Sequence, residues 1–272
     1  MRIKHRYGYN SSETQITKFL DIQGIKYDQT GGIITFEIYN DHENCNYIIK
    51  FMEAHSVSEN LSEAQYTKDE INAAQWLSVR STWRNGYPQP QDDMGYRFST
   101  YDSTNYCEKC RFGLIQKENF MLKKEPNWGT RDFLMINWIQ DELFISKNAE
   151  KFFRTGDLTG FDIYDVFTKS RSIMEGIKQL YVRNYLDFGL MPETIKEKFH
   201  CSKCNHTIYI AKPVIYYDRK VFKSINLDII KTQEKFGQLT CSSIIFVTHK
   251  FFKAIIEAKL DRGLVFEPVQ LV

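Results

Sequence analysis

The sequence lacks the features that mark a protein for export or for a membrane. Its N-terminal stretch, MRIKHRYGYN, has no apolar segment like that of a signal peptide. No run of 18 apolar residues occurs, so no membrane span is predicted. We therefore expect a cytoplasmic protein. In a reducing compartment, paired CxxC motifs favour metal binding over disulfides, and this chain has six cysteines.

The signatures of common enzyme classes are also missing. The sequence contains no GxSxG, HExxH, P-loop or GxGxxG motif. Asp141-Glu142 is the best carboxylate pair, but adjacent residues on a strand point to opposite faces. We therefore expect an exposed turn or a pairing with an arginine at this position, and we predict that the protein is not an enzyme.

A strong charge of either sign is absent as well. The formal net charge is +2 over 272 residues, which is too balanced to predict nucleic-acid binding from charge alone. Lys123 and Lys124, with Trp128 and Arg131, form a small basic and aromatic cluster. This cluster keeps nucleic acid as an alternative partner, although surface residues of this kind more often have no ligand.

The first 90 residues are expected to form a ferredoxin-like α/β unit. Apolar periodicity and turn residues predict the order β-α-β-β-α-β. Its segments are a strand at 2–9, a helix at 11–24 capped by Ser11 or Ser12, a hairpin at 25–39, a helix at 41–55 and a strand at 58–67. The fold class is therefore α+β.

A further helix is predicted at residues 67–83. Thr67 and Glu70 have the spacing of a capping box, and apolar residues follow them. The next stretch, RNGYPQPQDD (84–93), contains Asn-Gly and two prolines that interrupt regular structure. We place the domain boundary here, between residues 1–90 and a second domain at 91–272.

The second domain contains an internal repeat, over about 107–166 and 201–269. Both copies read as strand, Ser/Thr cap, amphipathic helix, glycine turn and strand. Phe144, Ser146 and Leu158 match residues 102 positions later, namely Phe246, Thr248 and Leu260. After one inserted residue the match continues, pairing Phe161, Ile163 and Val166 with Leu264, Phe266 and Val269.

A CxxC motif precedes each copy and leads into an apolar, strand-like run. These motifs are Cys107/Cys110 and Cys201/Cys204. In a zinc knuckle, the CxxC lies in a tight turn whose N–H groups point at the sulfurs. Two knuckles supply four thiolates, which predicts one structural Zn²⁺ held by all four cysteines. Neighbouring Lys109, Arg111, Lys203 and His206 would offset the negative charge of that centre.

The two motifs are separated by 90 residues, which is far for a zinc ribbon. Closing such a loop costs about 4 kcal/mol plus a constant. Structural zinc contributes on the order of 10–16 kcal/mol, so its binding can offset the long loop. Two separate sites completed by His200 or His206, a redox role, disulfides and plain buried thiols remain as alternatives. Neither motif opens a helical pattern as a thioredoxin-type CxxC does, and Cys45 and Cys241 lie on apolar faces typical of core residues.

The segments YCEKCRFG, NWIQDELFIS and FHCSKCNH resemble the bacterial double-CxxCG family over about residues 95–272. The resemblance implies zinc at Cys107, Cys110, Cys201 and Cys204. Some members of that family are immunity proteins that neutralise a partner toxin. This chain departs from the pattern because Arg111 and Asn205 replace the glycine after each second cysteine, although Gly113 is available to the first turn.

These observations favour a duplicated zinc-ribbon-like domain following the ferredoxin-like unit. A closed site of four thiolates leaves no position for substrate, so its zinc would not be catalytic. The leading hypothesis is a zinc-stabilised protein-binding protein, linked to immunity or defence, with a toxin as its protein partner. The alternatives are a nucleic-acid-binding zinc protein and an enzyme whose site has no recognisable motif.

Overall fold

A computed structural model describes residues 1–237 and 241–272. With 21% helix and 37% strand in several sheets, the chain belongs to the mixed α+β class. It divides into two compact units. The first comprises Met1–Glu70 and Lys212–Val214, and the second comprises Ile71–Ala211 and Ile215–Val272.

The first unit has the predicted element order β-α-β-β-α-β. Its elements are β1 (Arg2–Asn10), α1 (Thr14–Ile22), β2 (Tyr27–Thr30), β3 (Ile33–Tyr39), α2 (Cys45–Ala54) and β4 (Glu59–Gln65). All neighbouring strands are antiparallel, in the order β2-β3-β1-β4. Gly31 lies in the β2–β3 turn with φ +59°, a conformation that glycine adopts without a Cβ penalty.

Alternate residues of the central strands form one buried face with the two helices. Tyr7, Phe36 and Ile38 of the sheet pack in one cluster with Leu20 and Ile48. Cys45 belongs to this cluster, which confirms its prediction as a core residue. The predicted cap of α1 is wrong, because its N-cap is Glu13 and makes no side-chain hydrogen bond to the helix.

The predicted helix at 67–83 is correct only at its start. The capping box forms, with the Thr67 amide donating to Glu70 (2.8 Å) and the Glu70 amide donating to Thr67 (3.2 Å). The helix α3 ends at Ala73, and a strand, β5 (Trp76–Ser81), follows. Five of the six residues of β5 are buried, so tertiary burial overrides the helical periodicity of this segment.

The second unit continues with fifteen strands and three α-helices over its described residues. The strands up to the first helix copy are β6 (Tyr101–Asp102), β7 (Ile115–Gln116), β8 (Met121–Leu122), β9 (Phe133–Leu134) and β10 (Leu143–Ser146). Then come β11 (Asp162–Thr168), β12 (Ile173–Tyr181), β13 (Tyr185–Leu186), β14 (Ile195–His200), β15 (Thr207–Ala211) and β16 (Ile215–Tyr217). The last are β17 (Ile229–Thr232), β18 (Lys235–Phe236), β19 (Ile245–Thr248) and β20 (Leu264–Leu271). The helices are α4 (Tyr96–Ser99), α5 (Lys147–Thr155) and α6 (His249–Glu257), and 3₁₀ turns occur at Asp92–Met94, Pro192–Thr194 and Arg219–Phe222.

Two sheets of this unit have the same topology. One has the order β8-β11-β12-β10-β9, and the other has β16-β20-β5-β19-β17 with β13 added at its edge. In both, the strand before the helix and the strand after it flank a central antiparallel strand. The outer contacts also match, since β8·β11 and β16·β20 are both parallel.

The central strands are exchanged between the two copies. We define copy I as residues 76–168 and copy II as residues 173–211 and 215–271. β5 opens copy I but lies between β19 and β20 of copy II. β12 opens copy II but lies between β10 and β11 of copy I. The repeat is thus an interlocked duplication, and residues of both copies share one hydrophobic cluster.

The helix starts of the two copies are built alike. Ser146 caps α5 by accepting from the Ala149 amide, and Thr248 caps α6 by accepting from the Phe251 amide, both at 3.2 Å. These hydroxyls each donate to an aspartate, Asp132 for Ser146 and Asp228 for Thr248. The predicted strand-cap-helix-strand pattern is therefore confirmed in both copies.

Within residues 1–237 and 241–272, no helix is both long enough and apolar enough to cross a membrane.

Candidate metal centre and adjoining cavity

The four predicted cysteines meet in one cluster. The sulfurs of Cys107, Cys110, Cys201 and Cys204 all lie within 4.8 Å of one another. The Cys107–Cys201 sulfur distance is 3.7 Å and the Cys110–Cys204 distance is 3.3 Å. Zn–S bonds of 2.3 Å at tetrahedral angles require sulfurs about 3.8 Å apart. The cluster therefore fits a tetrahedral metal site such as zinc.

Each CxxC lies in a turn held by the same backbone hydrogen bonds. The Cys107 amide donates to Phe112 O and the Cys201 amide donates to His206 O, both at 2.8 Å. The residues after the second cysteines, Arg111 and Asn205, have φ angles of +63° and +60°. The turn thus requires a left-handed residue where the double-CxxCG pattern has glycine.

Gly113 completes the first turn. Its φ is +100°, and a Cβ there would lie 2.0 Å from the carbonyl oxygen of Asn105. No L-residue with a side chain fits without moving that backbone. The sequence prediction that Gly113 serves this turn is consistent with this geometry.

Side chains at equivalent positions join the two turns. Phe112 and His206 stack on each other with ring centroids 3.5 Å apart. Lys109 donates to the Ser202 hydroxyl at 2.7 Å, and Lys203 lies 4.0 Å from the Glu108 carboxylate. The lysines predicted to offset the charge of the centre therefore also link one turn to the other.

Backbone N–H groups stabilise the thiolate form in both turns. Hydrogen bonds from the Lys203 and Cys204 amides lower the pKa of Cys201 to about 6. A hydrogen bond from the Cys110 amide lowers the pKa of Cys107. Burial instead raises the pKa of Cys110. A dication between the sulfurs would stabilise all four as thiolates.

The nearby histidines lie outside the cluster. His206 Nδ1 contacts Cys204 O at 3.1 Å, and His200 Nδ1 lies 3.4 Å from the Thr207 hydroxyl. Among the described residues, the metal-ligating cluster consists of the four cysteines.

A cavity of about 1030 Å³ adjoins the cysteine turns, with Phe112, Cys204 and His206 in its wall. Both copies contribute to it. Asp141 and Glu142 line it together, so the prediction of an exposed turn or an arginine partner at this pair is wrong. They precede β10 instead of lying within a strand, so the alternation of strand faces does not separate them.

Glu142 forms a buried ion pair with Lys231 of copy II. The Lys231 ammonium lies 2.5 Å from Glu142 Oε1, and the two residues are only 2% and 5% exposed. Gln179 donates to the other carboxylate oxygen at 3.0 Å. Burial raises the pKa of Glu142. Burial alone would lower the pKa of Lys231, but the attraction of the Glu142 and Asp141 carboxylates raises it.

Aromatic rings form one side of the cavity. Trp138 contacts Tyr87 edge-on (4.8 Å between centroids) and stacks near Tyr96 (5.9 Å). Its φ is +71°, an uncommon conformation for a bulky side chain and one that concentrates at functional sites. No sequence motif identifies this cavity, since its members come from distant segments.

In the predicted basic and aromatic cluster, the tryptophan has a structural role. Trp128 donates to Gly176 O at 2.8 Å and packs in a hydrophobic cluster. The Arg131 guanidinium lies 5.4 Å from the Trp83 ring centroid, while Lys123 and Lys124 are exposed.

The sequence matches no protein-family model and no curated protein.

Proposed function

We propose that this chain is a non-enzymatic, zinc-stabilised cytoplasmic protein that binds a partner protein, and that the partner is a toxin it neutralises. The observation that carries the proposal is the four-cysteine centre. It takes one CxxC from each copy, and four thiolate ligands leave no open position for a substrate. The zinc therefore acts as a cross-link that holds a surface built from both copies.

The chemistry near the centre supports a role in binding. Burial raises the pKa of Cys241 to about 11, so this cavity cysteine stays a thiol at neutral pH and is a poor nucleophile. Tyr87, Tyr185 and Ile115 line the same cavity and are 40%, 47% and 61% exposed. Exposed tyrosines beside arginines have the composition of protein-binding hot spots.

The turn geometry supports the relation to the double-CxxCG family. Arg111 and Asn205 adopt the left-handed conformation that the glycine of the motif would favour. The duplicated unit is accordingly interpreted as zinc-ribbon-like. The strand order β2-β3-β1-β4 supports the ferredoxin-like assignment of the first unit.

The test is co-expression of the full chain with the product of the adjacent gene. We expect a stable complex on size exclusion, and growth of cells that the partner alone would kill. Tyr87→Ser combined with Tyr185→Ser should weaken the complex while the zinc content stays at one per chain. Tyr216→Ser, outside the cavity lining, is the matched control. Absence of a complex, or co-purification of nucleic acid in its place, would contradict the proposal.

A further inference from the structure

The cavity beside the cysteine turns carries polar groups that the duplicated fold does not require. Strand register identifies the equivalents of its charged pair. Phe133 and Leu134 pair with Ile145 and Phe144 just as Ile229 and Ile230 pair with Val247 and Phe246. Lys231 follows Ile230 as Met135 follows Leu134, so these two residues correspond. Glu142 lies two residues before Phe144, as Ile244 lies two residues before Phe246, so Glu142 corresponds to Ile244.

The third member of the buried group follows the same rule. Gln179 pairs with Phe144, and Ser78 pairs with Phe246, so Gln179 corresponds to Ser78. The same scaffold thus folds at the equivalent positions with isoleucine, methionine and serine. Buried ion pairs are weak contributors to stability compared with apolar residues of similar volume. The ion pair and the glutamine occur at only one of the two equivalent places in the duplicated fold. We therefore attribute them to recognition and not to folding.

The inner part of the cavity offers hydrogen-bonding groups to a ligand. The Tyr101 hydroxyl lies near the carboxylates, and burial, followed by the charges of Glu142 and Asp141, raises its pKa. Gln116 lines the cavity and exchanges hydrogen bonds with Gln179, 2.8 Å in each direction. The lining therefore includes both donors and acceptors, as needed to bind the edge of a polar ring.

The charge of the lining favours an anion. Its cations are Arg84, Arg97, Arg111, Arg183, Lys231 and Lys235, against two carboxylates, Asp141 and Glu142. Lys231 is paired with Glu142, and Arg183 is paired with Asp162. Arg97 is half-buried and donates to the Tyr106 hydroxyl (3.1 Å), which holds its guanidinium at the cavity wall.

The remaining wall favours a planar group. The ring series Tyr87, Trp138 and Tyr96 presents aromatic surface, and stacking of a base on such rings is a major source of nucleotide affinity. A volume of about 1030 Å³ lies at the upper end of the range for small-molecule sites, so it accommodates a ligand larger than a simple aromatic acid.

We propose that this cavity binds a nucleotide, with the base against the aromatic wall and beside Glu142 and Gln116, and with the phosphate beside Arg97. The same chemistry is present in a free nucleotide and at the end of a single strand of nucleic acid. The proposal goes beyond the partner protein, because it concerns a small anionic ring compound. The two proposals share Tyr87 of the cavity wall, whereas Tyr101, Glu142 and Lys231 are used by this one alone.

The test is calorimetric titration of the zinc-loaded full chain with the four ribonucleoside monophosphates, adenosine, inorganic phosphate and single-stranded hexanucleotides. We expect a mononucleotide to bind with a Kd below about 1 mM, and with a lower Kd than either adenosine or phosphate alone. If the hexanucleotide binds at least as tightly as the mononucleotide, the source is a strand end. If only the mononucleotide binds, the source is the free ligand.

Variants connect binding to the cavity. The double variant Glu142→Ile/Lys231→Met copies the residues of the equivalent positions, and we expect it to weaken binding by more than about tenfold. Tyr101→Phe removes one hydroxyl and should weaken binding about threefold to tenfold. This single variant also tests the cavity if the double variant does not fold. Tyr216→Phe, which lies outside the cavity lining, should leave binding unchanged.

Several results would overturn the inference. These are no binding tighter than about 1 mM by any probe, equal binding of phosphate alone, or unchanged binding in the folded cavity variants.

Discussion

Copies I and II share a fold but differ at the cavity. This difference distinguishes the residues that the fold requires from the residues that it does not. The cysteines, the Ser/Thr caps with their aspartates, and the sheet orders are repeated. The buried pair is not, because Glu142 and Lys231 correspond to Ile244 and Met135. Features present twice are therefore expected to affect folding, and features present once are expected to affect recognition.

Interlocking explains why the repeated features have to act together. β5 and β12 each complete the sheet of the other copy, so neither sheet is complete without the partner copy. The cysteine cluster joins the same two copies at a second place. Loss of the metal should therefore loosen both copies at once.

The largest effect is expected from removing a metal ligand. Cys201→Ser leaves three thiolates, and we expect zinc to fall well below one per chain and the second unit to lose several kcal/mol of the roughly 10–16 kcal/mol that structural zinc supplies. All four tryptophans lie in the second unit, so their fluorescence follows its unfolding without interference from the first. Metal analysis of the pure protein gives the zinc content.

Cys45→Ala is the matched control, because Cys45 is buried in the first unit. It should keep one zinc per chain and leave the tryptophan transition unchanged. Full zinc occupancy in Cys201→Ser would contradict the four-thiolate centre.

The next largest effect is expected from substitutions that alter the buried pair, where the two copies differ. Lys231→Met leaves the Glu142 carboxylate buried without its cation, which should cost about 3–5 kcal/mol. The double variant Glu142→Ile/Lys231→Met restores the apolar pair of the equivalent positions and should be close to the parent in stability. A double variant as unstable as the single one would show that the pair is needed for folding. Urea unfolding followed by tryptophan fluorescence measures both.

The pH dependence of Lys231→Met has a definite sign. Burial already raises the pKa of Glu142 in the folded protein, and loss of the ammonium raises it further. A carboxyl with a raised folded-state pKa binds its proton more tightly in the folded state than in the unfolded chain. Compared with the parent protein at the same pH, the variant should therefore lose least stability near pH 4, and the loss should grow as pH rises above the ordinary glutamate pKa. Unfolding curves of both proteins from pH 4 to 8 test this, and a difference in stability that does not change with pH would contradict it.

A smaller loss of stability is expected from substitutions at the helix N-caps, which the two copies share. Ser146→Ala and Thr248→Ala each remove one N-cap, and each should cost about 1 kcal/mol. The aspartates behind them differ, since Asp228 also accepts from the Thr159 amide (3.0 Å) and hydroxyl (3.1 Å). Asp228→Ala should thus cost more than Asp132→Ala. Ser170→Ala, on an exposed turn, is a control, and thermal unfolding measures all five.

Much of this structure could be predicted from local features of the sequence. The six elements of the first unit follow from apolar periodicity and turn residues, and each lies within a few residues of its predicted bounds. The four cysteines follow from their spacing and from the repeat. The sequence prediction put the domain boundary near residue 90, and the structure places β5, at Trp76–Ser81, in a sheet of the second unit.

The rest depends on contacts between distant segments. The periodicity of β5 predicts a helix because the burial of this strand comes from β19 and β20, about 170 to 190 residues later. The Glu142–Lys231 pair joins residues 89 positions apart, so neither residue shows its partner in the sequence. Exchange of the central strands is likewise invisible to periodicity, because exchanged and unexchanged strands have the same pattern.

The smallest predicted effect concerns the residues after the second cysteines, where the copies share a backbone but not a side chain. Arg111 and Asn205 have φ near +60°, which costs an ordinary L-residue about 1–2 kcal/mol and asparagine less. Arg111→Gly should therefore stabilise the second unit by about 0.5–1 kcal/mol after the added entropy of glycine in the unfolded chain, and Asn205→Gly by less. Arg171→Gly, at φ +61° outside the knuckles, is the matched control for the backbone effect alone. Urea midpoints with the metal bound give the comparison. If Arg111→Gly destabilises while Arg171→Gly does not, the arginine side chain contributes more to the first knuckle than the backbone strain costs.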